Sequence, residues 1–519
     1  MSAKGIDKLL AGVRRWLESR DGSLTPIFAL MAVPIVMATG ATLDISRQAS
    51  YRSDLQAAVD AAALGLAHLP STTPQATLNS DALTWVNAEL AGKGYGTIAV
   101  SVTSSAGKLT VNGSTTIPTT LTAMAGINSL PVNATATVAY GLSHVELALV
   151  LDNTGSMAQN NKLPTLVSSA TSLVNTLSAS AGSDPTALKI SVVPFSMTVN
   201  VGSAYQTATW MSGVMPTAYG SDIFSTSNVN RFTLFQQMGV TWGGCVESRP
   251  APYDVSDTGP SLSTPATLFV PYFAPDEPDN NTISSGGHSY YSFPNNYLSD
   301  GITSTSWTVR QGNAAKYTKA PATGTSSSTG YTLGPNAGCA LTPLLRLTNN
   351  MTTVTSKLNS MVAVGDTNIP MGMMWGWHTL SPSAPFSDGV AYGTANTMKI
   401  VVMLTDGLNQ NTPNSNPNTS YYSGDGYVWQ NRVSGLNTTS QTARQTALDT
   451  RLSTLCSNMK AQGIIIYTVR IDVATTNSPA VLQSCATSTD KFFDVPNVPD
   501  LPTVFANIAG SIGHLRIAH

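Results

Sequence analysis

The chain has 519 residues, more than one hydrophobic core holds, and length alone points to about three domains. Its 26 basic and 28 acidic residues nearly cancel, and the absence of a charge run or basic patch argues against nucleic acid as a partner. Charged residues are only 10% of the chain; Ser, Thr, Asn, Gly and Ala take their place, which suits a protein exposed outside the cytoplasm.

Residues 1–23 carry Lys4, Lys8, Arg14, Arg15 and Arg20. Leu24 to Leu43 follows, 20 residues without a charge and about 30 Å long as a helix, enough to cross a bilayer. Only Arg47 and Arg52 lie soon after it, so the asymmetry predicts a cytoplasmic N-terminus with the bulk outside. A cleaved signal peptide with a small-residue site near Thr39-Gly40-Ala41 is the rival. The apolar stretch is long for a signal core, and helical sequence continues from Asp44 to Ala67, with Leu55, Val59, Ala62 and Leu66 on one stripe. Pro26 falls where a first turn tolerates it and Pro34 should kink the helix. The prediction is one helix of about 40 residues, a membrane anchor running into a stalk over residues 44–72.

Residues 73–143 read as a small α+β module. Pro74 to Ala91 is a helix with Leu78, Leu83 and Trp85 as apolar candidates. Thr97 to Thr103 and Lys108 to Thr116 alternate around Ser104 to Gly107, a hairpin signal. Leu121 to Ile127 is a short helical segment and Pro131 to Tyr140 alternates again. The module holds no chemical motif and reads as a spacer or docking surface.

Val145 to Met157 changes the character of the chain. Its first half is a continuous apolar run suited to a strand buried on both faces of a parallel sheet. Its second half places Asp152, Thr154 and Ser156 at alternate positions around Gly155, so three oxygen-bearing side chains converge beyond the strand end. Hard oxygens suit a hard divalent cation, Mg²⁺ first, with Mn²⁺ or Ca²⁺ as alternatives. The bland reading is a polar turn with Ser156 as a helix N-cap. An amphipathic helix, Leu163 to Leu177, and a strand, Leu188 to Phe195, follow. Residues 202–338 break the pattern and are too long for a structureless loop, so they predict a folded insertion subdomain inside a domain of two parts, 144–201 and 339–519. Then come a helix around Leu344 to Met361, the loop Gly365-Asp366-Thr367-Asn368, and Met371 to Leu380, whose Met373, Met374, Trp375 and Trp377 form a partner surface or a helix packed on the sheet. Lys399 to Gly407 is a second buried strand, ending in Thr405-Asp406-Gly407. A polar loop from Asn409 to Asn437, a helix from Thr442 to Ala461, strands at Gly463 to Ile471 and Lys491 to Val495, and a helix near Leu501 to Ile512 complete the chain.

Four cysteines, Cys245, Cys339, Cys456 and Cys485, lack metal-site spacing; two disulfides are expected, with buried free thiols as the alternative. Of the three possible connectivities, 245–339 and 456–485 each stay within one segment. No Gly-x-Ser-x-Gly, His-Glu-x-x-His or phosphate-binding loop occurs, so an enzyme is not expected, and His378 reads as structural.

Asp152-x-Thr154-x-Ser156, then Thr367, then Thr405-Asp406-Gly407 closing a strand resembles the metal-ion-dependent adhesion site of von Willebrand factor A domains. The resemblance implies an α/β fold, doubly wound and Rossmann-like, with Asp152, Thr154, Ser156, Thr367 and Asp406 around the metal and an open position for an acidic side chain of a protein partner. Asp21-Gly22-Ser23, the apolar run with Pro26 and Pro34, Leu43-Asp44, Arg47 and Leu55 to Leu64 resemble the N-terminal segment of TadE/TadG pilus-assembly proteins. Gly244 to Arg249 and Tyr272 to Pro278 resemble stretches of TadG-like proteins. Type IV prepilins carry Glu five residues after their processing Gly; this chain departs from that pattern with Ile27, which argues against processing and for a permanent anchor. Together these imply a single-pass bacterial inner-membrane protein that assembles tight-adherence (Flp) pili or attaches surfaces. A purely structural envelope scaffold is the alternative.

Overall fold

The computed structural model describes residues 25–67, 69, 73–93, 96–105, 108–139, 144–181, 184–213, 215–279, 291–302, 304–433, 436–472 and 479–518. The expected cytoplasmic tail, 1–23, lies outside them. The chain divides into two compact units, residues 1–141 and 142–519.

In the first unit one helix, α1, runs from Thr25 to Ala67 with Pro34 inside it. Its N-terminal part exposes Ile27, Phe28, Leu30, Met31, Ile35 and Val36, while Leu55, Ala58, Val59, Ala62 and Leu66 are buried. The apolar side chains are therefore exposed along the first part of the helix and buried along the second. The second helix, α2, spans Gln75–Glu89. Leu78 faces inward as expected, but Leu83 and Trp85 stay over one-third exposed; the buried stripe is Leu78, Ala82 and Val86, every fourth residue. Strands β1 (Ala99–Ser105), β2 (Lys108–Pro118) and β3 (Ser129–Ala139) pair antiparallel in that order. The inward face of β2 meets α1 across Gly113, where an added Cβ would lie 2.8 Å from Val59.

Asp44 explains where the β2–β3 connection settles. Its carboxylate accepts from the backbone N–H groups of Thr120, Leu121 and Thr122, at 3.0–3.2 Å, and from the Thr122 hydroxyl. These amides open a 3₁₀ turn, Thr122–Ala125, whose N–H groups need acceptors. The same donors hold the Asp44 carboxyl at about 2, below the usual carboxylate value.

The second unit is built on an eight-stranded sheet among the described residues, in the order β11-β10-β9-β4-β5-β6-β7, with β8 also on β5. The strands are β4 (His144–Asp152), β5 (Leu188–Phe195), β6 (Val199–Asn200), β7 (Cys245–Val246), β8 (Leu345–Thr348), β9 (Thr397–Thr405), β10 (Ile465–Ile471) and β11 (Phe492–Val495). From β11 to β5 all pairings are parallel; β6, β7 and β8 are antiparallel additions at one edge. Alternate residues of β4 divide between two cores. Val145, Leu147, Leu149 and Leu151 face α3 (Lys162–Ala181), α4 (Met351–Asn359) and α8 (Leu501–Ala518); Ala148 and Val150 face α5 (Ile369–Leu380), α6 (Gln441–Ala461) and α7 (Ala480–Cys485). Helices on both faces of a mainly parallel sheet make this the doubly wound α/β class.

The helix expected at Leu344 to Met361 starts only at Met351, capped by Asn350; the preceding Leu345–Thr348 alternates and pairs with the edge of β5 instead. Every residue of α5 is buried, so Met373, Met374, Trp375 and Trp377 pack on the sheet and present no partner surface. Aromatics of the stretch after β6, Trp210, Phe269 and Phe273 among them, share the α5 side's core. Two disulfides, Cys245–Cys339 and Cys456–Cys485, staple it. The first closes a loop with a sequence separation of 94, worth roughly 4–5 kcal/mol in the chain-entropy model.

The Asp44 anchorage predicts a pH signature. A depressed folded-state pKa gives stabilisation that is fully present above the unfolded value, roughly pH 4, and is lost as pH falls towards 2. Asp44→Ala should therefore melt below wild type at pH 7, and the gap should shrink steadily between pH 4 and 3. A gap independent of pH would assign the residue a packing role instead.

Candidate metal centre at the ends of β4 and β9

β4 lies between β5 and β9, and the chain leaves it towards one side and returns on the other, so its carboxyl end is the topological switch point of the sheet. The structure gathers Asp152, Thr154, Ser156 and Asp406 there. Asp152 is fully buried; one carboxylate oxygen accepts from Thr154 N at 2.8 Å and the other from the Thr405 hydroxyl at 2.7 Å. The Thr154 and Ser156 hydroxyls are 3.0 Å apart, and Ser156 Oγ lies 2.7 Å from Asp406 Oδ1. Burial, and secondarily the charge of Asp406, push the Asp152 carboxyl up to about 6.

Thr367 arrives on a third loop. Gly365 there takes φ +83°, left-handed space that favours glycine, and its carbonyl accepts from Gly155 N at 2.9 Å. Thr367 is buried; its carbonyl accepts from Gln410 N, and its hydroxyl would lie 3.6 Å from a Cβ added at Gly407. Asn368 caps α5 by accepting from Met371 N, and Asn409 accepts from Ile369 N, so the loops carrying Thr367 and Asp406 are cross-braced.

Sequence reasoning missed two charged neighbours of this centre, Lys162 and Asp472, and the role of Thr405, which it named only as part of the Thr405-Asp406-Gly407 strand end. Thr405 orients Asp152. Lys162 reaches Asp406 Oδ2 at 2.7 Å with both side chains buried, and lies 3.4 Å from Asp472, which is 29% exposed. Its approach comes from Asn160 and Asn161, both left-handed at φ 53° and 59°, a conformation asparagine tolerates better than most residues. A signal existed: Lys162 is the only Lys or Arg between Asp152 and Lys189 in a chain poor in charge.

Among the described residues no group of three or more His, Cys, Asp or Glu side chains forms a metal-holding cluster. A cation at this centre would therefore depend on hydroxyls beside two carboxylates. That donor set fits a hard divalent ion, and the buried like-charged pair gives it an electrostatic reason to bind. His378 is elsewhere, fully buried against Phe269 and Trp375, where desolvation keeps its imidazole neutral.

Residues 22–67 match the model of the Tad family, Flp pilus-assembly TadE/G-like. That segment of the chain is TadE/G-like. No curated protein matches the sequence. Among solved structures, the chain is similar to the pilus adhesin SpaC from Lactobacillus rhamnosus GG, at 12% identity over 81% of this chain and 34% of that one, TM-score 0.32. It is also similar to the von Willebrand factor domain of the type V pili tip protein Mfa5 from Porphyromonas gingivalis, at 10% identity over 72% and 97%, TM-score 0.34. A third is proximal thread matrix protein 1 from the mussel byssus, with a zinc-occupied MIDAS motif, at 10% identity over 72% and 46%, TM-score 0.29. The chain spans about a third of the length of SpaC.

Removing one partner of a buried ion pair strands the other charge. Lys162→Met, measured in EDTA, should lower the stability of the second unit by about 3 kcal/mol in denaturant titration. A loss under about 1 kcal/mol would show that Asp406 does not depend on the ammonium.

Proposed function

We propose that the chain is a membrane-anchored, outward-facing component of tight-adherence pilus assembly or surface attachment, and that its second unit binds a protein partner through a divalent cation. The observation that carries this is the convergence of Asp152, Thr154, Ser156 and Asp406 at the switch point of a doubly wound sheet. The TadE/G-like segment at 22–67 supports the pilus context, and the exposed apolar start of α1 supports the anchor.

In this reading the hydroxyls of Thr154, Ser156 and Thr367 and the carboxylates of Asp152 and Asp406 hold Mg²⁺, with Mn²⁺ or Ca²⁺ as substitutes, directly or through water. The ion supplies a Lewis-acidic position for an acidic side chain of the partner. Thr405 and the Thr154 amide fix the Asp152 carboxylate so that it need not reorganise on binding. Lys162 neutralises Asp406 and limits how tightly the ion is held. Anchor and site divide the work: α1 holds the chain in the inner membrane with residues 1–23 inside, and the metal face meets its partner outside.

Calorimetry with Mg²⁺ or Mn²⁺ tests the metal, since a ligand that binds only the folded state raises its melting temperature with concentration. Wild-type protein should gain several degrees at millimolar ion; Asp152→Ala and Asp406→Ala should gain none and lose surface attachment in cells. If both variants attach normally, the metal reading fails and a structural scaffold is the remaining role.

A further inference from the structure

The β2–β3 connection, residues 119–128, is fastened to α1 at the outer end of its apolar stretch. Leu121 packs against Gly40: a Cβ added at Gly40 would lie 2.5 Å from Leu121 Cβ, so only glycine lets the loop this close. Asp44 binds the Thr120–Thr122 amides, and Arg47 Nη1 donates to the Thr120 hydroxyl at 3.1 Å. Beyond those fastenings the loop turns two large apolar side chains outward, Met124 at 72% and Ile127 at 49% exposure. On α1 beside them Leu43 and Ile45 are exposed as well. The loop itself carries no charge: from Leu109 to Val145 the chain has no Asp, Glu, Lys or Arg, and the nearby Arg47 of α1 is engaged with Thr120.

Depth follows from helix geometry. If Leu24 to Leu43 fills the hydrocarbon, Gly40 lies three residues, about 4.5 Å, inside its outer boundary. A loop packed on Gly40 sits at the boundary between acyl chains and headgroups, where interfacial segments bury their apolar side chains. We propose that the 119–128 loop is a second membrane contact, with Leu121, Met124 and Ile127 seated in the outer leaflet of the bilayer that α1 spans. Its partner is the lipid surface itself, and the contact fixes the sheet of the first unit against the membrane instead of leaving it on a free stalk. This rests on the reading of α1 as an anchor.

The test uses the full chain in liposomes of phosphatidylethanolamine and phosphatidylglycerol, its four native cysteines paired. Met124→Cys and Ile127→Cys, made separately, carry an environment-sensitive fluorophore; Val36→Cys reports the anchor, and Lys108→Cys the far end of β2. Quenching by lipids bearing a nitroxide near the headgroup is compared with quenching by aqueous iodide. Labels at 124 and 127 should be lipid-quenched to within about twofold of Val36, with iodide quenching several-fold below Lys108. If they behave like Lys108 while Val36 is lipid-quenched, the loop is in water and this proposal alone falls. Shielding from both quenchers would assign the loop to a protein neighbour or a second copy and also overturn it. A Val36 label without lipid quenching would remove the anchor and the loop contact together. Either loop position can decide the matter if the other variant misfolds.

Discussion

Two carboxylates that cannot both be comfortable in a dry crevice organise the second unit. Asp152 ends β4 and Asp406 directly follows β9, and these strands pair in parallel up to Leu151 and Leu404, so sheet register brings the two carboxylates to one place. An unscreened pair of that kind is costly at low effective dielectric. The surroundings are arranged against that cost: the Thr405 hydroxyl and Thr154 amide on Asp152, the Ser156 hydroxyl and Lys162 ammonium on Asp406. The left-handed Asn160-Asn161 turn exists in a position that returns Lys162 to the strand end, and Gly365 adopts its positive φ where the third loop must touch Gly155. Local backbone peculiarities here have electrostatic reasons.

The same logic runs through the sparse charge of the chain. Few charges are present, yet many are buried and paired. Glu146 and Lys399 face each other in register on β4 and β9 at the opposite end from the Asp152–Asp406 cluster. Glu247 lies between Arg231 and Arg432, and Lys316 between Asp276 and Asp300. These networks bind stretches far apart in sequence and are satisfied on several sides, the condition under which buried charge is tolerated. Long connections with little regular secondary structure are held by such pairs and by aromatic packing, for example Phe269 on Trp375 with ring centroids 4.8 Å apart.

Strands and helices with strong period were legible in the sequence, because burial on two faces leaves unbroken apolar runs such as Leu147 to Leu151 and burial on one face leaves a stripe such as Leu166, Ala170, Leu173 and Leu177. The ends were harder. Leu345 to Thr348 pairs as a strand where the expected helix runs through the Asn350 cap, and of the apolar candidates in α2 only Leu78 is buried, beside Ala82 and Val86. At the metal centre, side chains on the strand ends could be named from spacing alone. Lys162 could not, since its arrival depends on two consecutive left-handed residues; Thr405 stands in the strand-end motif, but its hold on Asp152 is fixed by cross-strand register. Asp44 stood in the sequence as part of a motif, but its contact with residues 120–122 is a long-range fact no local pattern contains.

Charge balance connects the proposed metal to the proposed partner. With both carboxylates ionised and Lys162 charged, the buried groups of the centre sum to a single negative charge, which repels an acidic ligand. A bound divalent cation turns that into a single positive charge, which an incoming carboxylate would neutralise. The lysine is what makes this arithmetic work: without it the metal-loaded site would be neutral and would gain little from an anionic partner. It also lets the centre stand when no ion is bound, because Asp406 keeps a counter-charge at 2.7 Å. On the proposed reading the fold does not require the ion, which adds stability only by mass action and is free to serve recognition, coming and going with the partner.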